Sequence, residues 1–465
     1  MSAPDRLRAA FAAPATQRQA AVLVVLALVV RLGAVLWAHG RFPPADDGHF
    51  YHVVAERIAA GLGYTWLWPD GAVTYAAHYP VGYPALIGAV YALFGSAPTL
   101  AMGVNAAFGA LGVWGVHRIA RSVVPGGPAF VAGLVVALHP SLVAYTPALM
   151  TEGVTAALLA ILGAMAVSVG ERTGRWVGPL RLGIGALAGL AVLIRPQSLL
   201  LAPVFGAFSA SGARARVRAA LLVSVVAIGV CLPWTFRNCA RMDRCVLVSA
   251  NMGWNLFIGA AEGATGTWVS IDELGVPTAC REVFGEADKD RCFGEAGLDA
   301  VLRHPLRYLG LVPAKLLATF DWSGAPGHYL HTSNPAAFGA RAKLALGIAE
   351  AVVQRLVVLA ALLALARAPG ANARARRLLA ALAIPLLFVR LAWLAHIVLV
   401  AQALLLGRAL TRRPDAALAA AVVGTTLATH AVFFGAGRYG LVCVPVLVAL
   451  AGAALVPRVA GERAL

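Results

Sequence analysis

Few side chains in this sequence could do chemistry, and they gather at the margins of apolar runs. Asp46 and Asp47 are adjacent and follow the first such run, Ala20–Ala38. Paired carboxylates raise one another's pKa, which suits general-base or metal work. Asp47 is the first choice for a base and Asp46 the second. The plain structural alternative is that Asp47 caps an amphipathic helix over 48–60 and meets its dipole. On that helix Tyr51 lies about one turn from Asp47, close to the same face. His49 and His52 could share a metal with an aspartate, or be ordinary surface histidines. A further acid, Glu152, stands beside Thr151 where another apolar run begins. It could position a substrate, bind a metal with Asp46, Asp47 and His78, or cap its helix.

The candidate cations are arginines. Arg31 and Arg195 lie inside or at the edge of apolar runs, where a charge is costly and marks a functional candidate. Arg438 opens the last apolar run. A guanidinium can hold a phosphate by two parallel hydrogen bonds. Arg195 and Arg438, with Arg237 or Arg31 as further candidates, are therefore expected to bind an anionic phosphate. The alternative is snorkelling to lipid headgroups. Arg390 and His396 are also intramembrane, without an evident partner.

What must position these residues is a helical bundle in a membrane. The chain has 465 residues, 60% hydrophobic and 13% charged, with a mean hydropathy of +0.78. Soluble domains carry about 25% charged residues. Lys plus Arg number 38 and Asp plus Glu 21, a net charge of +17. A disordered basic tail would need low hydrophobicity. A nucleic-acid partner is not expected, because the basic residues are scattered between apolar runs instead of sharing a polar face. The predicted class is an all-α polytopic membrane protein with the lipid bilayer as its surroundings.

Runs long enough to cross, or nearly so, lie at 20–38, 99–120, 128–146, 153–170, 182–194, 197–211, 219–236, 347–367, 378–391, 392–408, 416–434 and 440–457. That is about 12 transmembrane helices. The first run lacks a small-residue cleavage site, so it reads as a retained anchor. Arginines mark alternate linkers: Arg118 and Arg121, Arg172 to Arg181, Arg214 to Arg218, Arg374 to Arg377, Arg408 to Arg413, and Arg458 with Arg463. Placing these inside puts Asp46, Asp47, Glu152 and the polar stretch 237–345 outside. Tyr83–Phe94 would break parity if it spanned, and reads as interfacial or re-entrant. The expected organisation is a cytoplasmic tail 1–19, one membrane domain 20–457 and a cytoplasmic tail 458–465. The domain carries a first outer loop with interfacial helices at 39–98 and a long outer loop at 237–345.

Six cysteines are present. Cys231 and Cys443 sit in apolar runs and read as packing residues. Cys239, Cys245, Cys280 and Cys292 fall in the long outer stretch, where an oxidising compartment favours disulfides. The local pairs Cys239–Cys245 and Cys280–Cys292 are preferred among three connectivities. Zinc and free thiols are the alternatives, and no CxxC pair supports zinc.

Taken in order, these residues resemble a known family. Asp47-x3-Tyr51-x3-Ala55, then Gly61-x-Gly63-Tyr64, then Pro80-x-Gly82-Tyr83-Pro84 is similar to the GT-C membrane glycosyltransferases. The closer likeness is to glycosyltransferase family 39, which holds protein O-mannosyltransferases and lipid A aminoarabinose transferases. Further pieces follow in order: His139-Pro140 and Tyr145, Thr151-Glu152, Arg195-Pro196, Pro233 to Asn238, Asn251-x-Gly253-x-Asn255, and Arg438-Tyr439. The likeness runs from about 20 to 455 and is thin over 300–430. The family's first-loop pair is often Asp-Glu, whereas here it is Asp-Asp.

The resemblance implies a GT-C-like bundle with interfacial helices and a long outer loop. It implies a hexosyl- or pentosyltransferase that uses a polyprenyl-phosphate sugar donor. The acceptor would be a lipid, glycan or protein hydroxyl. The location would be the bacterial cytoplasmic membrane, multi-pass, with both termini cytoplasmic and chemistry on the outer face. Inverting transfer needs a base for the acceptor hydroxyl and cations for the leaving phosphate. Asp47, or else Asp46, would serve the first need; Glu152, the further catalytic acid, would position the acceptor, orient the sugar or bind a metal; and Arg195, Arg438, Arg237 or Arg31 would serve the second. Tyr51, His78, Tyr83 and Asn255 would shape the substrate site. No cofactor is certain, and a divalent metal on Asp46, Asp47, His78 and Glu152 stays open. Segment 294–320 interleaves leucines with Arg303, His304 and Arg307 and reads as a membrane-surface helix pair. The rival readings are a flippase of lipid-linked sugar, a ligase or polymerase of lipid-linked glycan, and a structural protein without chemistry. A flippase would not need the outer carboxylate pair, and no repeated half is visible.

Overall fold

A backbone that faces lipid must satisfy its polar groups within its own segment, and the chain does so with helices. The structure, a computed structural model, describes residues 13–14, 16–321 and 324–456. The expected tail 458–465 with Arg458 and Arg463 lies outside the described residues, as does most of the N-terminal tail.

In chain order, α1 spans Gln17–Ala38 and opens on a reciprocal cap between Thr16 and Gln19. Next come α2 (Asp47–Ala59), a hairpin of β1 (Thr65–Leu67) with β2 (Val73–Tyr75), α3 (Gly82–Phe94) and α4 (Pro98–Ala120). The hairpin is antiparallel, with Thr65 opposite Tyr75. Then follow α5 (Gly126–Leu138), α6 (Pro140–Ala144), α7 (Thr151–Gly170), α8 (Val177–Ile194), a 3-10 turn Pro196–Leu201, α9 (Ala202–Phe208) and α10 (Ala213–Arg241). The long polar stretch holds α11 (Met252–Ala260), α12 (Ile271–Leu274), α13 (Glu286–Arg303), α14 (Pro305–Phe320) and α15 (Ala325–Ser333). The chain closes with α16 (Ala340–Arg367), α17 (Ala373–Ala383), α18 (Ala392–Leu404), α19 (Pro414–Val432) and, after a 3-10 turn Gly437–Cys443, α20 (Val444–Ala451).

Among the described residues, 8 helices are long and apolar enough to cross a membrane: α1, α4, α7, α8, α10, α16, α19 and the run Gly437–Leu455. Shorter apolar helices are α3, α5, Pro196–Phe208 and α18. The chain is an all-α polytopic membrane protein. The run expected at 378–391 is instead α17 and a separate 3-10 turn, Pro385–Phe388. Prolines explain where spans break. A residue before proline is pushed out of the α region, so α5 stops before His139-Pro140 and α8 stops at Arg195, whose φ and ψ are −142° and 107°.

Small residues let the helices approach closely. Gly112 and Gly115 of α4 lie against Ala157 and Ala160 of α7, where an added Cβ would come within 3.0 and 2.6 Å of backbone. Both contacts advance in the same direction, so α4 and α7 run parallel. Gly185 and Gly189 of α8 do the same against Val226 and Val230 of α10.

The helix ends sort into two groups. Around one end, Arg118 pairs with Glu171, Arg181 bonds the Ser209 carbonyl at 2.8 Å, and Arg413 pairs with Asp415 at 2.6 Å. The opposite end collects Asp47, Glu152, Arg195 and Arg438. Both ends of α3 stay at this second end: Gly82 lies against Leu193, and Phe94 is four residues from the start of α4. The hinge His304–Pro305 joins α13 to α14 and leaves Leu298, Leu302, Leu306 and Leu309 exposed. Arg303 pairs with Asp299, while Arg307 turns inward onto the carbonyls of Ala261 and Glu262.

Candidate active site

Four helix ends bring two acids and two arginines into one alternating chain. The backbone turns sharply from α1 into α2 at Asp46, whose φ of 51° is left-handed. An L-residue held there costs about 1–2 kcal/mol. The Tyr329 hydroxyl holds the turn by accepting the Ala45 N–H at 3.3 Å. Asp47 then begins α2. Its Oδ1 accepts the Tyr79 hydroxyl at 2.8 Å, and its Oδ2 accepts Arg438 Nη1 at 2.8 Å. Neither aspartate caps the helix by its side chain. Asp46 is exposed and makes no side-chain hydrogen bond among the described residues.

Glu152 occupies the first turn of α7 and is 2% exposed. Its Oε1 receives Arg195 Nη1 at 2.8 Å and faces Arg438 Nε at 3.5 Å. Its Oε2 accepts the Tyr145 hydroxyl at 3.2 Å. Arg195 reaches this carboxylate because Pro196 ends α8 at that residue. It also bonds Thr151 Oγ1 at 3.3 Å. Both guanidiniums lie 5.2 Å from the centre of the Tyr439 ring. That ring stacks at 4.2 Å on His430, whose Nδ1 is 2.8 Å from the Phe434 carbonyl. The order is Asp47, Arg438, Glu152, Arg195, with charges of alternating sign.

The electrostatics follow from this order. Burial alone would raise the Asp47 carboxyl, but the Arg438 charge, with hydrogen bonds from Tyr79 and Arg438 and a smaller effect of His78, outweighs it. The net result holds Asp47 below its ordinary value. Burial and then the Asp47 charge push the Tyr51 and Tyr79 phenols up. Burial pulls His78 down to about 4, against the opposing charge of Asp47, so its ring is neutral at neutral pH.

The remaining expected residues divide into those around this chain and those elsewhere. Tyr51 packs edge-on against Tyr79 and Tyr83, each at 5.4 Å. Tyr83 donates to Asn105 Oδ1 at 3.0 Å, and Asn105 donates to the Ala148 carbonyl at 2.8 Å. Tyr83 thus supports the segment that leads into Glu152. The His78 ring stands edge-on to Tyr79 at 4.8 Å and Trp254 at 5.4 Å. Asn255 lies on α11, three residues before Ile258, which packs with Phe434 and Tyr439. Residues three apart share a helix face, so Asn255 belongs to the face turned toward the site.

Two of the candidate arginines lie apart from this chain of charges. Arg31 is 1% exposed and donates to the carbonyls of Ala27 at 3.3 Å, Ala137 at 3.1 Å and Val136 at 3.1 Å. It satisfies the last turn of α5, whose carbonyls lose their helical partners at the Pro140 break. Arg237 donates to the carbonyls of Ala76 and Tyr64, both at 2.8 Å, and lies 4.6 Å over the Trp234 ring. It pins the β-hairpin to the end of α10. Neither guanidinium has its donors turned to the acidic pair. The four residues considered for a metal do not form a ligand group. Among the described residues no three His, Cys, Asp or Glu side chains could hold an ion together. Arg438 stands between Asp47 and Glu152, and the His78 ring is packed between aromatics.

The structure pairs Cys239 with Cys245 and Cys280 with Cys292, and leaves Cys231 and Cys443 free and buried. Three contributors were missed from sequence. Tyr79 immediately precedes the Pro80 box and could have been weighed as a phenol beside a carboxylate. Glu286 accepts the His78 N–H at 2.9 Å and ties the first loop to α13. Tyr329 accepts the N–H groups of both Ala45 and Leu149 at 3.3 Å, joining the Asp47 and Glu152 segments. Nothing local in sequence marks the last two.

Residues 78–236 match a family model described as dolichyl-phosphate-mannose-protein mannosyltransferase. That stretch is about a third of the chain and contains Tyr79, Glu152 and Arg195, but not Asp47 or Arg438. Among curated proteins no sequence matches the chain. Similar solved structures include an oligosaccharyltransferase of Archaeoglobus fulgidus tethered with an acceptor peptide, at a TM-score of 0.46 and 13% identity. The alignment covers 95% of this chain and 49% of that one, so the chain spans about half the length of that relative. Another is ArnT of Cupriavidus metallidurans bound to undecaprenyl phosphate, at a TM-score of 0.41 and 17% identity, covering 94% of this chain and 77% of that one. Over 78–236 the chain is similar to the dolichyl-phosphate-mannose-protein mannosyltransferases, as the motifs of the first loop and of Thr151-Glu152 led one to expect.

Proposed function

We propose that this chain is a membrane glycosyltransferase that moves a sugar from a polyprenyl-phosphate donor to a hydroxyl acceptor, with inversion at the anomeric carbon. The observation that carries the reading is the alternation of Asp47, Arg438, Glu152 and Arg195 at one end of the bundle. Carboxylates for a base and guanidiniums for a phosphate are the two needs of such a transfer. Asp47 takes the proton of the acceptor hydroxyl. The hydroxyl oxygen forms its bond to the anomeric carbon as the bond from that carbon to the phosphate oxygen breaks. That phosphate oxygen takes the electron pair of the broken bond, the phosphate leaves still attached to its polyprenyl chain, and Arg438 and Arg195 hold its charge. Asp46, exposed and without a partner, is the weaker candidate for the base. The arginine-rich linkers collect at the other end of the bundle, which supports an outer, extracytoplasmic site and cytoplasmic termini.

The test is reconstitution of the purified protein with labelled polyprenyl-phosphate sugars, read as release of polyprenyl phosphate. Asp47→Asn should abolish release and Asp46→Asn should leave most of it. Unchanged turnover in Asp47→Asn would remove Asp47 from the role. Lipid movement across the membrane without sugar release would favour a flippase.

A further inference from the structure

We propose that donor binding arms the base: the sugar-linked phosphate draws the Arg438 guanidinium off the Asp47 carboxylate, leaving Asp47 Oδ2 free for the acceptor's proton. This inference rests on the functional reading above and concerns how that site is regulated.

As the side chains stand, Asp47 is not ready to act. Its Oδ2 is taken by Arg438 at 2.8 Å and its Oδ1 by Tyr79 at 2.8 Å. A general base needs an oxygen within hydrogen-bond reach of the proton that it takes. One of the two partners must leave, and Arg438 is the one that a donor can displace. The Tyr79 contact is a neutral donor with no affinity for a phosphate greater than that for a carboxylate. Arg438 is a guanidinium, and phosphate offers it the same bidentate acceptor geometry as a carboxylate.

The two arginines are not equivalent. Arg195 is held by Glu152 at 2.8 Å and by Thr151 at 3.3 Å, and its side chain is 11% exposed. Arg438 has a looser grip on Glu152, at 3.5 Å, and its side chain is 27% exposed. Arg438 is therefore the reachable cation, while Arg195 stays as the fixed partner of Glu152.

A count of charges points the same way. Asp47 and Glu152 carry two negative charges, and Arg195 and Arg438 carry two positive ones. The set is neutral before any ligand arrives. A phosphodiester adds one negative charge to a poorly solvated place, where an unbalanced charge is costly. The groups facing Asp47 are Arg438, Tyr79, His78 and Tyr51, with Glu152 and Tyr145 beyond. His78 is neutral and the phenols are protonated, so none of them supplies a replacement cation. The cheapest place to restore balance is Asp47 itself. Once Arg438 has turned to the phosphate, the largest factor that held this carboxyl low is gone, and burial, which raises it, is opposed chiefly by the Tyr79 hydrogen bond. The carboxylate becomes more basic only when a donor is present, and it regains balance by taking the acceptor's proton.

The test uses a short-chain polyprenyl methyl phosphodiester. It carries one charge, does not titrate between about pH 5 and 8, and cannot give up a sugar. Calorimetric binding to the full protein in detergent, in buffers of different ionisation enthalpy, reads proton uptake per lipid. The expected result is uptake by wild type that grows as pH falls toward about 5, and no uptake by Asp47→Asn. Asp47→Asn should bind the lipid about three- to tenfold tighter, because the competitor for Arg438 is gone. Equal uptake in both proteins, or weaker binding by the variant, overturns the proposal. Failure of wild type to bind the lipid overturns it together with the functional reading. A measurement on wild type alone needs no variant to fold. The acid limb of kcat reports the donor-bound enzyme and that of kcat/KM the free enzyme. The first should lie about one pH unit or more above the second. Coincident limbs with normal turnover overturn the arming and leave the transferase standing.

Discussion

Replacing Glu152 by glutamine probes the centre of the charge chain. The carboxylate is 2% exposed and, among the described residues, is the only acid that both arginines share. Glutamine keeps the shape and one acceptor oxygen, so a hydrogen bond from Arg195 survives. It removes the charge that both guanidiniums face at Oε1 and offers an NH2 where Tyr145 needs an acceptor. Breaking a buried pair by removing one partner costs about 3–5 kcal/mol. The surviving neutral hydrogen bond offsets about 1 kcal/mol. The expected destabilisation is therefore about 2–4 kcal/mol. Arg195→Gln alone should cost a similar amount, since it leaves Glu152 with the Tyr145 hydrogen bond and, as counter-charge, the longer contact to Arg438. The pair should not add. In the Glu152→Gln background, Arg195→Gln should cost about 1–3 kcal/mol less than in wild type, because each change removes the reason for the other group's burial. Denaturant unfolding of the four proteins in one detergent completes the cycle. Additivity within about 0.5 kcal/mol, or a Glu152→Gln midpoint equal to wild type, would refute the assignment of Glu152 as the shared counter-ion.

Three further outcomes are expected. Tyr329→Phe removes the acceptor of the Ala45 and Leu149 N–H groups. It should cost about 1–3 kcal/mol and lower kcat more than it raises KM, read by unfolding and by turnover. The Asp47 carboxyl is held below its ordinary value, so the stability of its pair with Arg438 is fully present above the unfolded value and lost as pH falls through the folded one. Midpoints of wild type and Asp47→Asn should differ by about 1 kcal/mol at pH 7 for this partly exposed pair. The gap should begin to close below about pH 4 and shrink further as the pH falls through the folded value, whereas a gap that does not shrink with acid would contradict the pairing. Replacing Cys280 and Cys292 together by serine opens a loop with a sequence separation of 12. The loop-closure relation gives a loss of about 3 kcal/mol, visible in unfolding midpoints under non-reducing conditions and absent once wild type is reduced.

Much of the framework was legible because its causes are local. Apolar runs set the spans, and Pro140 and Pro196 mark where two of them break, since proline acts on the residue before it. The even set of cysteines and their spacing anticipated the two bridges that the structure contains. The stretch Tyr83–Phe94 was apolar yet unsuited to the parity of the bundle, and α3 stays at one end of it. The run at 378–391 was less legible. Its arginines at 374, 376 and 377 belong to α17, where Arg376 donates to the carbonyl of Leu365 at 3.0 Å. A residue count of hydrophobicity does not register that kind of internal cap.

The arginines mark the boundary between what sequence and tertiary structure decide. Composition and periodicity identify Arg31, Arg195, Arg237 and Arg438 as charges in apolar surroundings, and cannot tell them apart. Each guanidinium takes its role from what its donors meet. Arg31 meets carbonyls 105 and 106 residues away, and Arg438 meets a carboxylate 391 residues away. The hydrophobic pattern of a helix is local, so sequence alone determines that there is a helical membrane bundle with acids and arginines at its helix ends. Which acid faces which arginine depends on how four separate helices pack, and only the tertiary structure decides that.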